Sequence, residues 1–303
     1  MMELKLFQQK ILELLPNIEL RFDELMSKHT SFQIGGPVEV MAFPKNSNEL
    51  AEILKKSALL DCKTVILGAG TNILAPERGL DGLVICLKDC MDGIERLNGD
   101  RIRVAAGVTM ARAAVFAAGQ NLGGMEFAHG IPGTVGGGVY MNAGAYGGEI
   151  KDICESVEIM RPDGRIDTVL ASEMDFSYRH SRLEDEQGIV VSVVFKLTPK
   201  PEAEIREQMQ ELLKKRKASQ PLEYPSAGSA FKRPVGGYAA ALIDQAGLKG
   251  FQVGGAAVSE KHAGFVVNLG GATSQDVLSL LEKVADIVFE KSGIHLEPEV
   301  RIW

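Results

Sequence analysis

Eight glycines fall within the 19 residues from Gly130 to Gly148, yet the gaps between them hold Ile131, Val135, Val139, Tyr140 and Met141. A flexible linker would fill those gaps with polar residues. Here the apolar residues can pack, Pro132 fixes a backbone dihedral and Asn142 offers a side-chain amide. Two readings fit the pattern: a rigid loop laid against a large flat ligand, or a glycine-dense crossing where core elements pack tightly. A second glycine segment, Gly68-Ala69-Gly70-Thr71-Asn72, favours the ligand reading. It follows the apolar run from Thr64 to Leu67, where two glycines let the backbone turn sharply and aim successive N–H groups at an anion. The third glycine of a dinucleotide fingerprint would fall at Ile73, and Pro76 interrupts the helix such a fingerprint needs. The dipeptide Gly-Lys does not occur, so there is no Walker A loop.

Composition narrows the partners. Lys and Arg total 33 against 40 Asp and Glu, a net charge of −7, which argues against a general phosphate-backbone binder and hence against nucleic acid. No run approaches the 18 or so apolar residues of a membrane span, and Met1 to Leu15 mixes Glu3, Lys5, Lys10 and Glu13 among its apolar residues, unlike a signal peptide. A cytoplasmic protein without membrane insertion is expected, and no obligate protein partner is evident. Cys62, Cys86, Cys90 and Cys154 form no Cys-x-x-Cys pair, so reduced structural thiols are expected and no metal site.

Periodicity gives a mixed α/β, or α+β, chain. Leu4 to Met26 reads as a helical lead-in interrupted by Pro16. Val38 to Phe43 alternates like a strand, Asn46-x-x-Glu49 opens a helix with Leu50, Ile53, Leu54 and Ala58 on one face, and Thr64 to Leu67 is a strand, together a βαβ unit. Strands are expected at Arg101 to Ala105, Val157 to Met160 and Ile189 to Leu197, with a helix from Thr109 to Ala118. Pro199, Pro201 and the charged stretch Glu202 to Lys217 mark the domain boundary. Beyond it come a helix from Tyr238 to Ala246, a strand from Phe265 to Leu269, a helix opened by Thr273-x-x-Asp276 and stopped by Gly293, and a strand from Leu296 to Trp303.

Six motifs in order carry a resemblance: Gly68-x-Gly70-x-Asn72; Gly130-Ile-Pro-Gly-Thr-Val-Gly-Gly137; Asn142-Ala-Gly-Ala145; Tyr178-Arg179; Gly228-Ser-x-Phe-Lys232; and Glu299-Val300. Over about Thr30 to Arg301 the chain resembles the UDP-N-acetylenolpyruvoylglucosamine reductases, the MurB family. The resemblance implies a vanillyl-alcohol-oxidase (PCMH)-type FAD-binding region over 1–200, with subdomains of about 1–90 and 91–200, and a C-terminal α+β substrate-binding domain over 201–303. It implies non-covalent FAD and NADPH as reductant. The reaction would reduce UDP-N-acetylglucosamine enolpyruvate to UDP-N-acetylmuramate for peptidoglycan. Hydride goes from the flavin N5 to C3 of the enolpyruvyl group, leaving carbanion-like charge at C2 to be stabilised and protonated.

By the same resemblance the flavin contacts are Gly68, Ala69, Gly70, Thr71, Asn72, Gly130, Ile131, Pro132, Gly133, Thr134, Gly136, Gly137, Asn142, Ala143, Gly144 and Ile189. Arg179 is the active-site arginine, whose fixed positive charge suits a carboxylate gaining negative charge. Ser229 is the proton donor to C2; Ala227 stands where a nucleophile elbow needs glycine, which disfavours a hydrolase serine. Glu299 is the C-terminal acid, although Glu297 lies two residues away on the same face of a strand and periodicity does not separate them. Tyr178, Lys232 and Arg233 are expected at the substrate. Lys232 suits a carboxylate, a diphosphate or the nicotinamide nucleotide equally. His180 and His129 are not selected, although a flavin link at His129 is left open.

Two departures stand out. Arg233 replaces the asparagine that often follows the lysine in this family, and no tyrosine-bearing insertion lies between Arg179 and Ser229, which places the chain in the shorter branch.

Overall fold

The computed structural model describes residues 5–303, so Leu4, the first residue of the expected lead-in helix, lies outside the described residues. The chain forms two compact units, each with its own hydrophobic core. The first takes the described part of Met1–Phe22 with Val40–Ala69 and Gly82–Lys214; the second takes Asp23–Glu39, Gly70–Asp81 and Lys215–Trp303. Segments 23–39 and 70–81 therefore join the C-terminal unit although they precede residue 200.

In the first unit, helix α1 spans Leu6–Leu14 only. The expectation of a helix continuing to Met26 is corrected: after Pro16 the chain extends, and Glu19–Leu25 is a strand. Leu20 and Phe22, two residues apart, turn the same way onto the core. Helix α2, Ser47–Leu59, starts where the Asn46 side chain accepts from the Glu49 N–H at 3.0 Å, and it buries Leu50 and Ile53. Thr64–Leu67 then pairs in parallel with the strand Leu80–Cys86, from Thr64↔Leu83 to Leu67↔Cys86, within a sheet ordered Glu19–Leu25, Pro37–Phe43, Leu80–Cys86, Thr64–Leu67. That pairing fixes the end of the strand from which Gly68 departs.

A five-stranded antiparallel sheet fills the rest of this unit, in the order Ile166–Leu170, Cys154–Met160, Ile189–Lys196, Arg101–Ala105, Ile94–Arg96. Ile189–Lys196 is central and buried at all but its last residue. Helix α3, Met110–Gly119, is capped by Thr109. The glycine-rich segment holds an element that its composition conceals: α4, Val135–Tyr140, packed on Ile189–Lys196. The Thr134 cap and that packing outweigh the poor helix propensity of three glycines. Helix α5, Glu202–Ser219, carries the charged stretch after the prolines.

The second unit has a four-stranded antiparallel sheet ordered Ser226–Ser229, Phe265–Asn268, Ala256–Val258, Gln252–Val253, with α6, Ala239–Gln245, and α7, Ser274–Ser292. Both ends of α7 follow local chemistry: a Thr273–Asp276 capping box opens it and Gly293 at φ 71° closes it. Of the strand expected from Leu296 to Trp303, only Arg301–Ile302 forms one, in parallel with Ile73–Leu74; Pro298, with no N–H to donate, makes an isolated bridge to Phe231.

No helix among the described residues is long and apolar enough to cross a membrane. All four cysteines are free thiols, and burial pushes Cys86 up to about 11 and Cys154 up to about 12, so both stay protonated and unreactive.

Candidate active site

In the first unit the two glycine segments meet. A β-carbon on Gly68 would lie 2.6 Å from the Thr134 hydroxyl oxygen, so only glycine admits this approach. Thr134, 2% exposed, accepts the Gly137 N–H at 3.3 Å and caps α4. The Val135 and Gly136 N–H groups bond to Val108 O (2.8 Å) and Ala106 O (2.9 Å). The start of α4 is thus bonded within the protein, which leaves anion contact to the turns before it. Gly130 ends a short 3-10 turn, the Ile131 N–H bonds Ala128 O, Pro132 follows, and Gly133 O accepts from Met110 N at 2.9 Å. Ala143 is bonded to Gly138 and Ile150, and Gly144 pairs with Glu149. Ile189 is buried at the start of the central strand.

His129, just before this loop, has its Nδ1 buried without a hydrogen-bond partner, and burial lowers its pKa so that the ring stays neutral. An unsatisfied buried nitrogen is costly, and a ligand able to hydrogen-bond would remove that cost. Apart from the Thr134 hydroxyl at 3.4 Å, no atom of the described residues outside the backbone of α4 comes within 4 Å of a β-carbon on Gly137. An unsatisfied buried nitrogen on His129 and an open glycine face at Gly137 fit a flavin nucleotide.

Arg179 sits on a tight turn in the same unit. Ser177 and His180 exchange backbone hydrogen bonds at 3.2 and 3.3 Å, Arg179 has φ 56°, and its guanidinium lies 5.1 Å from the Tyr178 ring centroid. Asn142, 1% exposed, donates to Ser177 O and to Glu149 Oε2, both at 2.9 Å, and accepts from Lys151 N at 3.0 Å. The Glu149 carboxyl is held below its usual range by its hydrogen bond to Lys151, then by Asn142 and by the positive charges of Lys151 and Arg179. Neither Glu149 nor the Ser177 carbonyl has a local sequence signal, because both act over 7 and 35 residues from Asn142.

In the second unit Gly70, at φ 62°, has His29 O where a β-carbon would lie, and its carbonyl accepts from Ser31 N at 3.0 Å. After Thr71, the Asn72 amide donates to Glu299 O at 3.2 Å and Asn72 O accepts from Arg301 N at 2.9 Å. The strand Ser226–Ser229 pairs Ser226 with Val267 but Ser229 with Phe265, so it carries one extra residue, and Gly228 at φ 77° takes the bulge. Such a bulge re-aims the residue after it, here Ser229. The Glu299 N–H donates to Ala230 O at 2.9 Å and Lys232 N to Glu297 O at 2.8 Å, which brings the Ser229 and Glu299 segments side by side. Glu299 is half-buried; Glu297 is exposed and pairs with Lys232 Nζ at 3.3 Å. Arg233 stacks over Tyr238 with 4.0 Å to the ring centroid.

Residues 220–303 match the family model described as UDP-N-acetylenolpyruvoylglucosamine reductase, C-terminal domain, and residues 38–169 match an FAD binding domain. A protein named UDP-N-acetylenolpyruvoylglucosamine reductase from Agathobacter rectalis is 46% identical over 307 residues of alignment, covering 98% of this chain and 98% of that one. Another of that name from Caldanaerobacter subterraneus is 45% identical, covering 97% and 96%. This chain belongs to the UDP-N-acetylenolpyruvoylglucosamine reductase family. The crystal structure of such a reductase from Thermus caldophilus matches with a TM-score of 0.80 at 36% identity, over 95% of this chain and 99% of that one. Family membership brings a PCMH-type FAD-binding fold of mixed α/β content with a C-terminal domain, FAD as cofactor and NADPH as reductant.

Proposed function

We propose that Arg179, Ser229 and Glu299 are the catalytic residues with which this chain reduces UDP-N-acetylglucosamine enolpyruvate to UDP-N-acetylmuramate. The carrying observation is the 2.9 Å bond from Glu299 N to Ala230 O, which sets the acid beside the segment whose bulge aims Ser229. FAD held by the two glycine segments would supply the redox chemistry, a hydride for C3 of the enolpyruvyl group drawn from NADPH. Ser229 holds the proton that C2 must receive, and its hydroxyl then regains one from solvent, so the double bond gains one hydride and one proton. Arg179 opposes the negative charge that grows on C2 and the attached carboxylate, and Glu299 works with it at the reacting enol.

Lys232 supplies a positive charge for a substrate carboxylate or diphosphate or for the nicotinamide nucleotide, and Tyr178 and Arg233 line the substrate. Gly68, Ala69, Gly70, Thr71, Asn72, the residues named above between Gly130 and Gly137, Ala143, Gly144 and Ile189 hold the flavin. Residues 1–200 act as the FAD-binding region and 201–303 as the substrate-binding domain. The protein works in the cytoplasm, where NADPH and nucleotide sugars are available.

Rapid-mixing absorbance tests the assignment. In Ser229→Ala, NADPH still reduces the flavin, whereas reoxidation by the enolpyruvyl sugar slows by about 10²- to 10⁴-fold, the usual worth of a general acid. Unimpaired turnover would remove Ser229 from the mechanism.

A further inference from the structure

The turn that carries Arg179 does not hold itself. Its two backbone bonds, at 3.2 and 3.3 Å, are long, and Arg179 occupies left-handed backbone at φ 56°, a region an L-residue keeps only when its surroundings enforce it. The enforcement comes from the glycine-rich segment, 35 and 41 residues earlier in the chain. Asn142 Nδ2 donates to Ser177 O at 2.9 Å, and the Ser181 hydroxyl, with Ser181 wholly buried, donates to Tyr140 O at 2.8 Å. These bonds grip the turn on either side of Tyr178 and Arg179.

The Asn142 amide is fully used in this work. Its two N–H groups go to Ser177 O and Glu149 Oε2, and its oxygen takes the Lys151 N–H. Asn142 is itself left-handed at φ 40°, which asparagine tolerates better than most residues and which aims the short side chain back across its own loop. Glu149, held by Asn142 and by Lys151 Nζ at 2.9 Å, places a carboxylate close enough to Arg179 for the two charges to be felt. One buried amide thus ties the loop assigned to the flavin to the backbone that presents the arginine.

We propose that Asn142 is a positioning residue for Arg179: its side chain sets the arginine turn against the glycine-rich loop and does not itself bind the flavin. This rests on the assignment of Arg179 to the reacting carboxylate. It moves Asn142 from the cofactor contacts to a bracket joining the cofactor loop and the catalytic arginine. Misplacing a catalytic group by about 1 Å can cost on the order of 10²-fold in rate, so the bracket has kinetic consequences without touching substrate.

The test uses the FAD-loaded enzyme and the variants Asn142→Gly, Arg179→Ala and their combination, with flavin affinity, visible spectrum, reduction by NADPH and single-turnover reoxidation by the enolpyruvyl sugar as readouts. Asn142→Gly leaves the left-handed backbone free of strain and deletes only the amide. It is expected to hold FAD within about threefold of the parent affinity and to slow reoxidation by roughly 10- to 100-fold, while adding less than about twofold to the Arg179→Ala defect. Defects that multiply in the double variant, or a loss of flavin affinity with normal reoxidation once loaded, overturn the proposal. Normal reoxidation in Arg179→Ala overturns the role of Arg179 instead, which keeps the two failures apart.

Asn142→Asp is the second variant, near in shape and keeping the acceptor for Lys151 N. Its ionised carboxylate faces Glu149 and the Ser177 carbonyl, with Lys151 and Arg179 as the nearby cations, so the turn is pushed away until the new acid is protonated and regains one donor. Its reoxidation rate relative to the parent is expected to rise as pH falls. A ratio that stays flat, or failure of both Asn142 variants to take up FAD, counts against positioning.

Discussion

Gly68 and Thr134 are packed so closely that the methyl group of an alanine at 68 would sit 2.6 Å from the threonine oxygen that caps α4. Gly68→Ala must therefore displace the cap or the turn, costing about 1–3 kcal/mol of stability and weakening flavin retention. Thr134→Ala alone loses a cap worth about 1 kcal/mol. In the double variant the clash is gone, since the only one of these atoms that remains, the β-carbon at 134, lies at 3.7 Å. The two changes should cost clearly less together than their sum, by denaturant titration of the apo and FAD-loaded forms. Additive losses would show that the contact is not the source of the effect.

Glu297 and Glu299 should separate cleanly. Glu297 is exposed and its bond to Lys232 is a surface pair worth at most about 1 kcal/mol, so Glu297→Gln should change turnover by less than about fivefold. Glu299→Gln should lower kcat by at least about 10²-fold with the fold intact. Steady-state rates of both variants at saturating NADPH check this, and the reverse ranking would make Glu297 the functional acid.

His180 links the arginine turn to pH. Its Nδ1 lies 2.9 Å from Glu184 Oε2, and Asp175 and Asp185 each approach its Nε2 to 3.6 Å. The hydrogen bond to Glu184, followed by the charges of Glu184, Asp185 and Asp175, raises the imidazole above its ordinary 6.5. A raised value in the folded state means stability that is fully present below 6.5 and disappears as pH climbs through the higher folded value. The stability difference between the parent and His180→Gln should therefore be largest below 6.5 and shrink as pH rises through the higher folded value. Denaturant melts across that range measure it, and a gap that widens toward alkaline pH would contradict the ion cluster.

The thiols offer a test of the first unit's core. Burial keeps Cys86 at about 11 and Cys154 at about 12, so an alkylating reagent at neutral pH should leave both unmodified in the native protein. Peptide mass analysis should find the two labelled only after unfolding. Rapid native labelling of either would mean that this core opens easily.

Much of this molecule is written in short-range chemistry. Thr273-x-x-Asp276 and Gly293 bound α7 within a residue, and Asn46-x-x-Glu49 does the same for the start of α2, because a cap is made by neighbours in the chain. The strand Glu19–Leu25 is an edge strand paired only with Pro37–Phe43, so its two core-facing residues, Leu20 and Phe22, give a weak alternation, and only Pro16 hints that the helix ends. Helix α4 was hidden for another reason: its glycines argue locally for a loop, and the Ile189–Lys196 strand it packs on overrides them. At the candidate site the motifs named Arg179, Ser229 and Glu299, but not the bulge at Gly228 nor the use of the Asn142 amide, which are properties of backbone pairing and of a contact 35 residues away.

Hydride and proton delivery to the enolpyruvyl sugar are followed without oxygen and in deuterium oxide. Protein loaded with FAD and reduced by one equivalent of NADPH is mixed with UDP-N-acetylglucosamine enolpyruvate, while the flavin band and the product mass are followed. The oxidised band should return at once, with UDP-N-acetylmuramate bearing one solvent deuteron at C2 and, because the N5 hydrogen of reduced flavin exchanges with solvent, a second at C3. A flavin that stays reduced until air is admitted would mean that the enolpyruvyl sugar is not its hydride acceptor.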